Sequence, residues 1–305
     1  MTSVHSMPRE PGKLSYISPT SYMLWEKNPV GFWMRYLAPP ELKVPRSPQT
    51  PQMAVGNVFD THIKFHLAST VGKADLPADM LESGLDPRYH GKGSPDKYDN
   101  LVLYEGLRAY HAYKESPAMA LLLRGVTNVE VPAEAVRWVT GNSGVAVPIW
   151  GKPDAELFRQ RRVIMDWKVS GAFANSSPSP EPGYSYRFVK RALDGESRWV
   201  DEGPHHRSFE PMELLNERWA IQLAMYAWLM GDSPGSEVTV QIDKVLLVDT
   251  ETVEIYVYRN TIGRDFQLSL FSKLQLMWQK IEKGEILPPE LRGAPPELLL
   301  AMVEP

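Results

Sequence analysis

The spacing of apolar residues changes near position 124, and this change constrains the fold more than any other feature of the chain. Before it, apolar residues recur at helical spacing, as Val55, Val58 and Ile63 do within residues 53–68. After it, the chain has short apolar runs rich in β-branched residues and separated by Gly and Pro, which is typical of strands. This order of elements predicts an α/β fold with a central mixed β-sheet flanked by helices.

Local signals place the ends of the main predicted elements. Ser18 can cap a helix that begins at Pro19, and Pro29 divides the first helical segment into two short helices. A long polar connection is predicted between the central strands and the next helix, at residues 171–210. The other predicted elements are helices at 53–68, 99–122, 212–231 and about 263–283, strands within 124–170, and the strand pair "VTVQIDKVLLVD" and "TVEIYVYRN".

Composition excludes several kinds of chemistry. The chain of 305 residues has no cysteine, so disulfides, a thiol nucleophile, cysteine-ligated zinc and iron–sulfur clusters are excluded. No apolar run approaches the roughly 18 residues of a membrane span, and no secretory signal is recognisable. We therefore expect no membrane association and a cytoplasmic location, in the host cytoplasm if the protein is viral. The net charge of −4 argues against a passive nucleic-acid binder but is compatible with acidic residues around a metal ion.

The apolar run "VIMDWK" at residues 163–168 ends in a carboxylate and an ammonium. On a strand, Asp166 and Lys168 point to one face and Trp167 points to the other. Asp154 precedes "AELF", which we expect to pair with this strand as a hairpin, at a strand spacing of about 4.8 Å. Asp154 and Asp166 could then bind one hard cation such as Mg²⁺, which takes oxygen ligands and polarises phosphoryl oxygens. The alternatives are a surface ion pair at Asp166 and Lys168 and a turn position at Asp154.

The stretches "GKPD" and "DWK" resemble the core motif of the PD-(D/E)XK nucleases, with Asp154, Asp166 and Lys168 at its positions. Three further stretches resemble the RecB/Cas4-like exonuclease branch, namely "ISPTSYMLWEKNPVGFWMRYL", "VGNVFDTHIK" and "QLAMY". The resemblance covers residues 14–283 and departs from the branch at Asp60, which stands where the branch usually has a histidine. The cysteines of the iron–sulfur members are absent, so a version without the cluster is implied.

The resemblance implies a restriction-endonuclease-like core and a metal-dependent nuclease with Mg²⁺ or Mn²⁺ as its cofactor. It assigns Asp154, Asp166 and the Trp167 backbone carbonyl to the metal. Lys168 would orient the attacking water or stabilise charge that develops on the phosphate. Asp60 would supply a further ligand in place of the histidine, because carboxylate oxygen suits Mg²⁺ and Mn²⁺.

The remaining candidate residues lie on predicted helices or in a loop. Gln222 and Tyr226 are spaced i, i+4 and share one helix face, where the resemblance implies that they contact the substrate or brace the site. His62 is the rival to Asp60 as the additional ligand. The alternative for Asp60, His62, Gln222 and Tyr226 is an ordinary position on a helix surface. His205–His206 could bind a metal ion, but adjacent histidines in a polar loop are expected to be solvated.

The implied substrate is DNA, at its ends or as single strands. The implied activity is an exonuclease of recombination, repair or phage replication, working with partner proteins of recombination or replication. A structure-specific or restriction-like endonuclease and a non-catalytic nuclease-fold scaffold for DNA or protein are the alternatives. No sequence pattern indicates an oligomeric state.

The predicted organisation has three parts: a flexible arm at 1–13, one nuclease-like domain at 14–285, and a Pro-rich tail at 286–305. Within the domain, the helical part covers 14–123 and the core covers about 124–283.

Overall fold

The computed structural model describes residues 13–45, 50–70, 99–129, 136–141, 144–158, 160–172, 179–193, 196–201 and 210–302. The helices of this part are α1 (Pro19–Lys27), α2 (Pro29–Tyr36), α3 (Pro51–Thr70), α4 (Asp99–Glu115), α5 (Pro117–Leu123), α6 (Met212–Leu215), α7 (Glu217–Leu229), α8 (Arg264–Lys283) and α9 (Pro296–Ala301). Its strands are β1 (Val126–Val129), β2 (Arg137–Thr140), β3 (Ala146–Ile149), β4 (Ala155–Phe158), β5 (Arg162–Ser170), β6 (Tyr186–Leu193), β7 (Glu196–Asp201), β8 (Val238–Leu247) and β9 (Val253–Ile262).

Seven of these strands form one mixed sheet in the order β1-β4-β5-β8-β9-β6-β7. Strands β5 and β8 pair in parallel, and the other neighbours in this sheet are antiparallel. Strands β2 and β3 form a separate two-stranded sheet. The prediction of an α/β fold with a mixed sheet flanked by helices is therefore confirmed.

Helices cover both faces of the large sheet. Side chains alternate between the two faces along each strand, so each strand contributes residues to both helix-packed layers. The first face carries Ile164 and Ile242 and packs against α7 and α8. The second face carries Met165 and packs against Phe59 of α3 and Tyr113 of α4. The central strands of the sheet are thus largely buried on both sides.

The first two helices begin as the sequence predicts. The Ser18 side chain accepts a hydrogen bond from the Ser21 amide at the start of α1. Asn28 ends α1 and caps α2 by accepting a hydrogen bond from the Gly31 amide. The division of this segment at Pro29 is confirmed, as are the helices predicted at 53–68 and about 263–283.

Two predicted helices are interrupted by polar caps. Within residues 99–122, α4 ends before Ser116, whose side chain accepts a hydrogen bond from the Met119 amide and so caps α5. Within residues 212–231, Asn216 ends α6 and caps α7 in the same way. The helical spacing of apolar residues continues across both breaks, so the sequence predicts one continuous helix in each case.

The prediction of one connection at residues 171–210 is wrong in part. Strands β6 and β7 form an antiparallel hairpin there and extend the sheet at the edge beside β9. Their sequences, "YRFVKRAL" and "ESRWVD", are rich in charged residues, which weakens the apolar signal of edge strands. Residues 173–178 and 202–209, including His205–His206, lie outside the described residues.

The predicted tail is partly helical. Leu299 of α9 lies in a small apolar cluster with Val30 and Met34 of α2, so that this helix packs against the N-terminal part of the chain. Of the predicted arm at residues 1–13, only Lys13 belongs to the described residues. In the described ranges, no helix has both the length and the apolar character that a bilayer span requires.

Candidate active site

The β4–β5 hairpin brings the two motif aspartates together. Its register pairs Ala155 with Met165, and one further step sets Asp154 opposite Asp166. Side chains opposite each other on antiparallel strands have Cβ atoms about 5 Å apart. Oδ2 of Asp154 also accepts a hydrogen bond from the Trp167 amide over 3.1 Å. The two carboxylates therefore lie at the same end of one hairpin, in the arrangement that the sequence predicts.

Strand β5 separates the charged pair from the tryptophan between them. Asp166 and Lys168 point to the first face, whereas Trp167 lies in the apolar cluster of the second face. The Trp167 ring makes edge contacts with Phe59 and Tyr113, each at a centroid distance of 6.4 Å. This buried ring fixes the backbone from which Asp166 and Lys168 project.

Helix α7 supplies an amide that connects the charged groups. The Lys168 ammonium contacts the Asp166 carboxylate and donates to Oε1 of Gln222 over 3.1 Å. Nε2 of Gln222 donates to Oδ1 of Asp166 and to the Tyr226 hydroxyl, each over 3.0 Å. The predicted residues Gln222 and Tyr226 therefore do share one helix face, and that face is turned to the end of β5.

Helix α3 adds a cation that the sequence interpretation missed. Nζ of Lys64 donates to Oδ2 of Asp60 over 2.6 Å and to Oδ1 of Asp154 over 2.8 Å. Lys64 is only 3% exposed, and the carboxylates of Asp60 and Asp154 balance its buried charge. The i, i+4 spacing of Asp60 and Lys64 indicates a possible ion pair, but nothing in the sequence shows that the pair is buried against Asp154.

His62 lies on a different side of α3. Its ring is 5.4 Å from the ring of Tyr110 in α4, measured between centroids. The structure therefore brings Asp60, through Lys64, into the cluster around Asp154, and places the His62 ring against a neighbouring helix.

Burial and neighbouring charges set the protonation of the cluster. Burial, followed by the Asp154 carboxylate, raises the pKa of Asp166 to about 8. Burial also opposes ionisation of Asp154, but the Lys64 ammonium and the groups at Asp166 and Lys168 outweigh it and lower the pKa of Asp154. Burial opposes the charge on Lys168 too, and the Asp166 and Asp154 carboxylates nevertheless raise its pKa. The cluster therefore favours a charged Lys168 and disfavours two adjacent carboxylate charges.

These oxygen atoms fit a hard divalent cation, because Mg²⁺ and Mn²⁺ prefer carboxylate, carbonyl and water oxygens. Asp154 and Asp166 supply two carboxylates, and the Trp167 carbonyl is a candidate third donor. Within the part of the chain that the structure describes, no three acidic or histidine side chains converge into a group ready to hold a metal ion. Asp60 does not complete such a group because the Lys64 ammonium lies between it and Asp154.

Gly151 allows Tyr226 to reach the cluster. A Cβ atom at this position would lie 2.6 Å from Cε1 of Tyr226, which is closer than van der Waals contact allows. We therefore expect Gly151→Ala to push the Tyr226 ring away from Gln222. The free energy of unfolding should fall by about 2 kcal/mol, and any catalytic activity of the site should fall by about tenfold.

Gly56→Ala is the matched control for the stability measurement. Gly56 lies within α3, and a Cβ atom there would meet nothing within 4 Å. Alanine in a helix is favoured over glycine, so this variant should be as stable as the parent or slightly more stable in urea unfolding. Equal stability of Gly151→Ala and Gly56→Ala would contradict the role of Gly151.

Models of known protein families do not match the chain, and a search of curated protein sequences finds no significant similarity.

Proposed function

We propose that the protein is a metal-dependent nuclease of the PD-(D/E)XK class, most similar to the RecB/Cas4-like exonucleases, which hydrolyses phosphodiester bonds in DNA. One observation carries the proposal. The β4–β5 hairpin sets Asp154 opposite Asp166, and Lys168 shares the face of Asp166. The seven-stranded sheet with helices on both faces is compatible with a restriction-endonuclease-like core.

In this proposal Asp154, Asp166 and the Trp167 carbonyl hold one Mg²⁺ or Mn²⁺ ion, and no iron–sulfur cluster is involved. Asp60 is the additional donor, available once Lys64 moves away from it. The ion supplies Lewis-acid polarisation of a phosphoryl oxygen and lowers the pKa of water at the site.

In the proposed mechanism, Lys168 acts on the charge of the phosphate, and Gln222 and Tyr226 hold Lys168 in position. The Lys168 ammonium stabilises negative charge that develops on the scissile phosphate, or orients the attacking water. Gln222 fixes Lys168 relative to Asp166, because its amide contacts both. Tyr226 in turn accepts a hydrogen bond from Gln222 and holds the amide in that orientation.

Lys168→Met should lower the rate of DNA cleavage without unfolding the protein. The variant removes the ammonium and keeps the length of the aliphatic chain, so DNA cleavage should fall by about a hundredfold. Mn²⁺ binding should persist, since Asp154 and Asp166 remain. The rate is measured with end-labelled linear DNA and Mn²⁺. Unchanged cleavage would exclude Lys168 from the mechanism.

Linear and covalently closed circular DNA distinguish the proposed exonuclease from an endonuclease. With Mn²⁺, we expect degradation of the linear form and survival of the circle, and a chelator should abolish the activity. Cleavage of the circle would replace the exonuclease with a structure-specific or restriction-like endonuclease. The placement in recombination, repair or phage replication follows from the resemblance alone.

A second candidate function is a nuclease-fold scaffold that binds DNA or protein without cutting it. The position of Lys64 favours this alternative, because an ammonium between Asp60 and Asp154 already balances charge that a metal ion would balance. A scaffold should neither bind Mn²⁺ at Asp154 and Asp166 nor cleave linear DNA. Either property would exclude it.

A further inference from the structure

A second lysine lies beside Lys168 on the same face of the sheet. In the parallel register of β5 and β8, Lys168 is the partner of Lys244. Residues paired in this way point to one face, and neighbouring strands lie about 4.8 Å apart. The row continues to β9, where Tyr256 is the partner of Lys244. Lys244 is therefore the nearest residue to Lys168 on the next strand.

Lys244 is neutralised by a carboxylate from outside the sheet. Its Nζ donates to Oε2 of Glu181 over 2.7 Å. Glu181 belongs to the segment 179–185 that leads into β6, and its backbone carbonyl accepts a hydrogen bond from the Tyr258 hydroxyl over 3.0 Å. Tyr184 of the same segment packs on Tyr256 at a ring-centroid distance of 4.9 Å. The segment thus covers the sheet face immediately beside Lys168.

Lys168, Lys244 and Glu181 differ in their access to solvent. The side chain of Lys168 is 32% exposed, that of Glu181 is 26% exposed, and that of Lys244 is 10% exposed. Lys244 therefore lies under the carboxylate of Glu181. Glu181 thus contacts the lysine that neighbours Lys168 on the sheet, and its side chain is itself accessible to solvent.

We infer that Lys244 binds a second phosphate group of the nucleic-acid strand whose scissile phosphate lies at Lys168, and that Glu181 occupies this position until the strand displaces it. The inference rests on the proposed nuclease function. Each nucleic-acid strand carries one phosphate per nucleotide, about 3.4 Å of helix axis in B-DNA. Lys168 and Lys244 are paired on neighbouring β-strands, whose backbones lie about 4.8 Å apart, so their long side chains can reach different phosphates of one nucleic-acid strand. A carboxylate and a phosphate compete for one ammonium, because both are anionic oxygen acceptors.

A purely structural role is the competing explanation, in which the ion pair only fastens the segment 179–185 to the sheet. The two explanations differ for Glu181→Gln. If the pair only fastens the segment, the variant should lower stability and leave DNA affinity unchanged. If Glu181 competes with phosphate, the variant should strengthen DNA binding, because a neutral amide competes less well for Lys244.

The test measures binding of a fluorescein-labelled single-stranded oligonucleotide by anisotropy, with Ca²⁺ and at several salt concentrations, and cleavage with Mn²⁺. Lys244→Met should weaken binding by about tenfold and reduce the slope of log K against log[salt] by about 0.7. Lys244→Arg should retain most of the affinity. Glu181→Gln should bind several-fold more tightly than the parent, and this gain should vanish in the Lys244→Met background.

Matched controls come from an ion pair next to the opposite sheet face. Nζ of Lys190 in β6 donates to Oε2 of Glu115 in α4 over 2.6 Å. Lys190→Met and Glu115→Gln change the net charge as the test variants do, and both should leave the salt slope and the affinity at the parent values.

Each outcome decides the inference. If the parent binds and cleaves DNA but Lys244→Met and Glu181→Gln behave like their controls, the second phosphate position is wrong and the nuclease function stands. If the parent neither binds nor cleaves DNA, the proposed function fails and this inference fails with it. Weaker binding by Lys244→Met together with tighter binding by Glu181→Gln supports the inference.

Discussion

Asp166→Asn is expected to reduce DNA cleavage by about a thousandfold while the protein stays folded. In the parent, Nε2 of Gln222 donates to Oδ1 of Asp166. Asparagine keeps the shape of the side chain, and its amide oxygen can still accept this hydrogen bond. The substitution removes the ionisable group that would hold the metal ion and that contacts the Lys168 ammonium. The loss should therefore appear in the rate of cleavage with saturating Mn²⁺.

The unfolding midpoint of Asp166→Asn should be no lower than that of the parent in the absence of metal. Burial and the adjacent Asp154 carboxylate raise the pKa of Asp166 to about 8, so the fold does not require a charge at this position. Asp265→Asn, at an exposed position in the first turn of α8, is the control and should cleave at the parent rate. Parent-like cleavage by Asp166→Asn would show that the site is misassigned.

Lys64→Met is expected to give the largest loss of stability, with a decrease of about 3 kcal/mol in the free energy of unfolding. The Lys64 ammonium is the buried cation between Asp60 and Asp154, and the side chain of Asp154 is only 15% exposed. Without the ammonium, Asp154 retains a carboxylate in a buried position with less compensation. Urea unfolding in the presence of a chelator measures this loss.

Mn²⁺ should restore part of the stability of Lys64→Met, and it should stabilise this variant more than the parent. The reason is that Asp60 and Asp154 would both be free of Lys64 and could approach one divalent ion. Lys190→Met removes a lysine from a more exposed ion pair and should show neither the loss nor the additional stabilisation by Mn²⁺. If Lys64→Met is as stable as the parent with chelator, the cation between the two aspartates has no structural role.

The sequence predicts the hairpin well because its determinants are local. Asp154 and Asp166 belong to one hairpin, in which a single short turn joins β4 to β5, and strand alternation alone places Lys168 on the face of Asp166. The i, i+4 spacing of Gln222 and Tyr226 likewise places both side chains on one helix face. The pairing of strands β4 and β5, which ends one step before Asp154 and Asp166, follows the same local pattern.

The sequence does not predict the contacts that join distant segments. The ion pair of Lys64 with Asp154 connects positions 90 apart, and the ion pair of Lys244 with Glu181 connects positions 63 apart. Neither pair follows from periodicity, because each depends on how a helix or a loop packs on the sheet. The same holds for Gly151, whose small size matters because the Tyr226 ring and the Leu229 side chain pack against it.

The sequence does not predict strands β6 and β7, for a different reason. Strand β6, "YRFVKRAL", mixes charged and apolar residues without strict alternation, and it follows a Pro-rich stretch. In the structure, Phe188 is buried on the second face while Arg187 pairs with Glu254 of β9. The polar content that suggested a loop belongs to an edge hairpin with charged partners.

The most direct test of the central claim, that Asp154 and Asp166 share one divalent cation, is calorimetric titration of Mn²⁺ into the parent, Asp154→Asn and Asp166→Asn, with Asp265→Asn as the control. We predict stoichiometric binding to the parent and to the control, and loss of that binding in both active-site variants. Binding to Asp154→Asn and Asp166→Asn with the affinity of the parent, or no binding to the parent, would contradict the claim.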